Sequence, residues 1–223
     1  MAALFDPVAQ DYDMWYEDSV GKLVDQVERA LVTQKFEPVG TRVLEIGCGT
    51  GQYSAWLAGQ GYELTAVDVS HAMLERARVK LANQGLKADW QEADIRDIHQ
   101  RLGMYDGILS VTAMEFIPDP GELLSQIFDH LVRGGCLVIG FIARESAWSE
   151  LYQNLAAANP DSVFAQANFY SEAEISAWNI GGKLEFTGGL YFPPDVESPT
   201  RAMELESQGA GRPGFLVAKW VKE

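Results

Sequence analysis

Val43-Leu44-Glu45-Ile46-Gly47-Cys48-Gly49-Thr50-Gly51 joins a short apolar run to three glycines at alternate positions. Glycine has no Cβ and tolerates positive φ, so such a turn lets a ligand approach the backbone and meet N–H groups at the start of the next helix. The run over residues 41–46 has strand length. Residues 52–60 then set Tyr53, Trp56 and Leu57 on one helical face. Strand, glycine turn and helix make the first unit of a β-α alternation.

The alternation continues on both sides of that unit. Residues 64–67 read as a second buried strand, after which Ser70 caps a helix whose Met73, Leu74, Ala77 and Leu81 form an apolar stripe. Residues 87–91 are a weaker strand candidate, 105–111 a stronger one, and 136–142 a fifth. Between the last two, Leu123, Leu124, Ile127, Phe128 and Leu131 give a helical stripe that Gly134 and Gly135 are expected to end. Continuous apolar strands of this kind require a parallel sheet covered on both faces, with right-handed crossovers. Ahead of the first strand, Leu23, Val24, Val27 and Leu31 recur at helical spacing over 21–35, an amphipathic helix placed to cover a sheet face or the site.

Beyond Arg144 the pattern changes to a helix over 146–158, a capping box at Ser171 and Glu174, and strand candidates over 183–191 and 215–221. The last two are expected to pair antiparallel at the sheet edge. Residues 193–213 are rich in Pro, Gly, Ser and Glu with little periodicity and read as a long surface loop.

The spacing around the glycines bears on the ligand. Dinucleotide binders use G-x-G-x-x-G to bring pyrophosphate onto the helix N-terminus, but here Ser54 stands at the third position after Gly49 and Gly51. Glu45 at the end of the first strand would repel a diphosphate and attract a cationic or amino-bearing ligand. Asp68 ends the second strand, where a carboxylate accepts hydrogen bonds from both hydroxyls of a ribose. Asp94 and Ile95, after the third strand, offer an acceptor for an exocyclic amine and an apolar wall for a base.

Together these segments resemble the class I S-adenosylmethionine-dependent methyltransferases, in particular the small-molecule group described as methyltransferase type 11. The resemblance rests on Glu45–Gly51, on Val67-Asp68-Val69-Ser70, on Ala93-Asp94-Ile95 and on Tyr105-Asp106-Gly107-Ile108-Leu109-Ser110, with Leu131-Val132-Arg133-Gly134-Gly135 alongside. It covers residues 36–142 and thins outside them. It implies a Rossmann-like, doubly wound α/β fold with a mostly parallel seven-stranded sheet and an antiparallel C-terminal strand. One domain is then expected over 1–223, with a helical cap at 1–35, a cofactor-binding core at 36–142, and a helical insertion and antiparallel strands at 143–223.

The resemblance also implies site residues. Gly47 and Gly49, with Glu45, Cys48 and Gly51, belong to the methionine side of S-adenosylmethionine, Asp68 and Val69 to the ribose, and Met73 and Ile95 to the adenine faces. Asp94 takes the adenine amine, and Ser110 and Val111 face the methionyl amine or the acceptor. Where many relatives have Glu-His after the fourth strand, this chain has Glu115-Phe116, so a histidine base is absent there. Tyr12, Tyr16, Phe116 and Tyr170 are candidate walls of an acceptor pocket, and Glu115 a candidate base; no catalytic residue is assigned.

Composition narrows the partners. The 223 residues carry 17 Lys and Arg against 32 Asp and Glu, a formal charge of −15 that repels nucleic-acid backbones and anionic membranes. A small-molecule methyl acceptor is therefore the expected partner. Residues 1–7 lack a basic segment followed by an apolar run, and the longest apolar stretches are only strand-sized. Cys48 and Cys136 form no metal or disulfide spacing, so a reducing cytoplasm is the simplest setting. His71, His99 and His130 are scattered, and no metal is expected. Two other functions fit parts of the pattern: a nicotinamide-dependent oxidoreductase, to which Asp68 would be equally suited, and a non-catalytic binding protein on the same fold.

Overall fold

The computed structural model describes residues 3–17 and 19–223, so residues 1, 2 and 18 of the expected N-terminal cap lie outside the described residues. β1 (Arg42–Ile46), β2 (Glu63–Asp68), β3 (Asp89–Glu92), β4 (Tyr105–Val111), β5 (Leu131–Ile142), β6 (Lys183–Gly189) and β7 (Phe215–Val221) form one sheet in the order β3-β2-β1-β4-β5-β7-β6. β1 to β5 pair in parallel, and β7 runs antiparallel between β5 and β6. This is the doubly wound, Rossmann-like sheet expected from the alternation, including the antiparallel pair at its edge.

Alternate residues of each strand feed different cores. Val43, Ala66, Leu109 and Val138 pack into one apolar cluster, while Leu44, Val67, Ile108 and Leu137 pack into the other. The first cluster is closed by α1 (Ser19–Lys35), α2 (Gln52–Gly59) and α3 (His71–Ala82) through Leu23, Leu57 and Leu74. The second is closed by α4 (Ile95–Ile98), α5 (Pro120–Phe128) and, beyond α6 (Ala147–Ala158), by α7 (Glu172–Ala177) through Ile95, Leu124 and Ile175. Burial on both faces is why the strands read as continuous apolar runs. Among the described residues no helix is long and apolar enough to cross a membrane.

Two expectations are corrected. Leu131 belongs not to the helical stripe but to β5, opposite Tyr105, because α5 ends at Phe128 with His130 N–H bonded back to the Ile127 carbonyl. Gly134 and Gly135 instead pair with the backbone of Lys222 beyond β7, at 2.7 and 3.0 Å. Leu131 falls four residues after Ile127, so helical periodicity could not separate it from the stripe. Residues 193–213 are not one loop but contain α8 (Pro199–Gln208), started by the Ser198 side chain and Pro199 and stopped by Gly209 at φ 57°. Only Ala202 of α8 is fully buried, so no apolar stripe announced it, although the cap residues did.

The connections leave β1 and β4 toward opposite edges of the sheet. That arrangement opens a crevice at the carbonyl ends of these two neighbouring strands, where open α/β sheets bind ligands.

Candidate active site

The glycine turn forms one wall of this crevice. Gly47 and Cys48 donate their N–H groups to the Val67 carbonyl at 2.8 and 3.2 Å, tying the turn to the end of β2. At Gly47, with φ +68°, a Cβ would lie 2.3 Å from that of Ala113, whereas one at Gly49 would meet nothing within 4 Å. The first glycine is needed for a close crossing of two turns, and the second presents bare backbone to open space. Asp68 links these parts: one carboxylate oxygen accepts from Gly49 N–H and the other from Ser70 N–H, each at 2.8 Å. Burial raises its pKa, and those N–H bonds oppose the rise. An ionised carboxylate has about four lone-pair positions, so capacity remains for two hydroxyl donors.

Beside the turn lies a cavity of about 330 Å³. Gly47, Gly49, Asp68, Val69 and Met73 line one side, and Asp94, Ile95 and Val111 another. Tyr12 and Phe116 close it further, together with Phe5, Thr112 and Gln166, which sequence reading had not singled out. Asp94 caps α4 by accepting from Arg96 N–H at 2.9 Å, and its two oxygens also take the Arg96 Nε at 2.9 and 3.0 Å. The Arg96 guanidinium holds its carboxyl below the usual carboxylate range. Thr112 has φ +48°, unusual for a β-branched residue, and marks backbone strain at the end of β4 against the cavity.

The N-terminal segment lies across the opening. Asp6 accepts from the Ser70 hydroxyl at 2.6 Å, and Asp13 accepts from the Thr50 hydroxyl at 2.6 Å while facing Lys80 at 3.2 Å and Arg76 at 3.4 Å. Phe5 meets Phe116 edge to face at 4.8 Å. One strap therefore touches the glycine turn, the start of α3 and the turn after β4. The sequence signal was only two acidic residues among aromatics; their partners lie far along the chain.

Several anticipated residues stand outside the cavity. Glu45 is buried beneath α2, where it accepts from the Ser54 hydroxyl at 2.5 Å, and burial pushes its pKa to about 8; it does not line the cavity. Cys48 is buried in the first core with its thiol pKa raised, Gly51 begins α2, and Ser110 donates to the Ile46 carbonyl at 2.8 Å. These three shape the turn from behind. Tyr16 packs on Tyr12, while Tyr170 packs on Trp178 and Phe141 on the far side of β5. Glu115 is fully buried and accepts from Ile142 N–H at 2.8 Å.

Residues 43–135, the span that builds the turn, Asp68, Asp94 and the Ala113 crossing, match the family described as methyltransferase domain. Over those residues the chain carries a methyltransferase domain. A ubiquinone biosynthesis O-methyltransferase of Xanthomonas axonopodis pv. citri is 28% identical over 178 residues, 77% of this chain and 74% of the relative. One from Xylella fastidiosa is 29% identical over 162 residues, 70% of this chain and 66% of that one. Among solved structures, a possible histamine N-methyltransferase from Thermotoga maritima shares the fold with a TM-score of 0.74, at 22% identity over 99% of this chain and 98% of its own. The magnesium protoporphyrin IX methyltransferase of Synechocystis, solved with S-adenosylmethionine bound, superposes with a TM-score of 0.64 at 20% identity, covering 98% and 93%. In this methyltransferase domain the cavity occupies the carbonyl edge of the sheet between β1 and β4.

Proposed function

We propose that this methyltransferase domain binds S-adenosylmethionine in the 330 Å³ cavity and transfers its methyl group to an oxygen of a small-molecule acceptor. The observation that carries the reading is Asp68, anchored by Gly49 and Ser70 N–H groups beside a turn that a Cβ at Gly47 would obstruct. Gly47 and Gly49 border the amino-acid end of the donor, Asp68 holds the ribose hydroxyls, and Met73 and Ile95 sandwich the adenine. Asp94 accepts from the adenine amine, sharing its carboxylate with Arg96. S-adenosylmethionine supplies an electrophilic methyl group and a good leaving group. The protein's task is then mainly to hold an acceptor in line and keep water out, and such positioning is worth about 7 to 11 kcal/mol of barrier. The O-methyltransferase relatives support oxygen as the nucleophile, and the net charge of −15 favours neutral or cationic acceptors over polyanions.

Calorimetry and thermal melting with S-adenosylhomocysteine and with NAD test the donor. Ligand at a hundred times its dissociation constant stabilises by about 2.7 kcal/mol, roughly 5 to 10 °C for a domain of this size. A shift with NAD and none with the adenosyl ligands would replace methyl transfer by a nicotinamide reading.

A further inference from the structure

We propose that Thr50, Arg76 and Lys80 form a socket for a phosphate-type oxyanion, which takes the place of Asp13 and lifts the strap of residues 3–17 from the glycine turn. The socket lies outside the donor cavity, which none of these three side chains lines. Thr50 belongs to the turn after β1, while Arg76 and Lys80 stand on one face of α3, a helical turn apart. The carboxylate that fills the socket comes from another segment, since Asp13 precedes Thr50 by 37 residues and Arg76 by 63.

Asp13 satisfies the socket incompletely. The Thr50 hydroxyl donates to one of its oxygens at 2.6 Å, but the Gln52 amide reaches the same oxygen only at 3.5 Å. Lys80 and Arg76 stand 3.2 and 3.4 Å from the other oxygen. A well-formed charge-assisted bond between such groups measures about 2.7 to 2.9 Å, so both cations are held at long range. Lys80 also donates to the Thr50 hydroxyl, at 3.3 Å. The Nε of Arg76 is fully buried and has no hydrogen-bond partner among the described residues.

The balance of charge points the same way. Among the described residues Arg76 and Lys80 share Asp13 as their ion-pair partner. Arg29 of α1 donates to the Gln52 carbonyl at 3.4 Å and is itself paired with Asp25 at 3.1 Å. Desolvation lowers the Lys80 pKa, with Asp13 opposing the shift and Arg76 and Arg29 adding to it. Two cations on one carboxylate leave a local positive excess in a chain whose net charge is −15. A phosphate dianion balances both cations, and its tetrahedral oxygens reach donors that a planar carboxylate leaves distant. With the anion in place, the strap keeps Asp6 on the Ser70 hydroxyl and Phe5 against Phe116, while its middle is released from the turn. Asp13 competes from within the same chain, at an effective concentration on the order of millimolar, so phosphate is expected to bind in that range.

The test adds inorganic phosphate to the full chain near neutral pH, against sodium chloride at matched ionic strength. Limited proteolysis within residues 3–17 and calorimetry are the readouts. Cleavage should accelerate and saturate with phosphate and stay unchanged with chloride. Asp13→Asn should tighten phosphate binding by about 10-fold, the factor recovered when a competent state held at about one part in ten becomes dominant. In that background Lys80→Met should abolish binding and Lys80→Arg should retain it. Equal acceleration by chloride would reduce the effect to screening of ion pairs and overturn the proposal. So would the absence of binding heat in D13N at tens of millimolar phosphate, or an affinity that K80M leaves unchanged. No readout involves the methyl donor, so a negative result leaves the methyl-transfer reading standing.

Discussion

The Asp68 carboxylate and the Gly49 N–H meet at 2.8 Å, so the end of β2 is fastened to the glycine turn that follows β1. With Ser70 N–H on the other oxygen, this one side chain sets the position of two backbone segments and leaves acceptor capacity toward the cavity. Removing it leaves both N–H groups without their partner, at a cost of about 1 to 3 kcal/mol for each that stays buried. Asp68→Ala should weaken S-adenosylhomocysteine binding by at least about 100-fold in calorimetry, and Asp68→Asn by less. Unchanged affinity in D68A would remove the ribose role.

At Gly47 two costs coincide, and a second glycine separates them. Gly47 and Gly85 both have φ +68°, but an added Cβ at Gly85 meets nothing within 4 Å, whereas at Gly47 it falls 2.3 Å from the Ala113 Cβ. Gly85→Ala should cost only the left-handed backbone penalty, about 1 to 2 kcal/mol. Gly47→Ala should cost more, and because the turn after β4 must shift into the cavity, it should also lose ligand affinity. Urea titrations with and without S-adenosylhomocysteine compare the two, and equal effects would show that the Ala113 crossing yields freely.

How far the sequence disclosed this site follows from the range of its contacts. Gly47, Gly49, Asp68, Asp94 and Ile95 sit at strand ends in a regular β-α alternation, so pattern and family resemblance brought them to one place. The burial of Glu45 has a local cause: its position at the end of β1 was legible, but alternation in the strand turns it under α2 to Ser54. Asp6 and Asp13 were opaque because their partners, Ser70 and Thr50, lie 64 and 37 residues away. No periodicity encodes such pairings. Likewise, α8 buries only Ala202 fully and so lacked a stripe, and the positive φ of Thr112 falls where its N–H bonds to the Gly140 carbonyl at 2.9 Å, a partner 28 residues away.

Asp94 offers a test of base recognition that is separate from stability. Its carboxylate both caps α4 and pairs with Arg96, so Asp94→Ala should destabilise modestly, by about 1 kcal/mol through the lost cap. The informative comparison is between S-adenosylhomocysteine and its deaminated inosyl analogue, which lacks the exocyclic amine. Wild-type protein should prefer the adenosyl form by about 10-fold or more, and D94A should bind the two alike. A preference that persists in D94A would place amine recognition elsewhere.

Asp13 joins the strap to the glycine turn. Desolvation pushes its pKa up, but the Thr50 hydroxyl and the Lys80 and Arg76 cations outweigh it and hold the carboxyl below its ordinary value. A carboxyl lowered in this way contributes stability that is complete above its unfolded value of 3.8 and is lost as pH falls through the lower folded value. The strap should therefore stay shut across the neutral range. Asp13→Ala should open it at pH 7, seen as faster proteolysis within residues 3–17 and a dissociation rate for S-adenosylhomocysteine raised by about 10-fold. Equal protection in both proteins would show that Asp6 and Phe5 suffice.

Glu45 predicts the opposite slope. Burial raises it from 4.5 to about 8 despite the Ser54 hydroxyl, and Glu28 and Glu115 are raised in the same direction, to about 8 and about 7. Between the unfolded and folded values the native chain binds protons that the unfolded chain has released, so stability is greatest below about pH 4.5 for these groups and declines as pH rises toward 8. Glu45→Gln removes one titrating carboxyl while keeping an oxygen for the Ser54 hydroxyl. The variant should match wild type near pH 4.5 and exceed it by about 1 kcal/mol or more at pH 9, since each tenfold difference in proton affinity between the folded and unfolded chain is worth about 1.4 kcal/mol. Urea midpoints measured across that range decide the matter: parallel curves for the two proteins would mean that Glu45 stays ionised behind the glycine turn, which would return it to the role of an anionic partner for a bound cation.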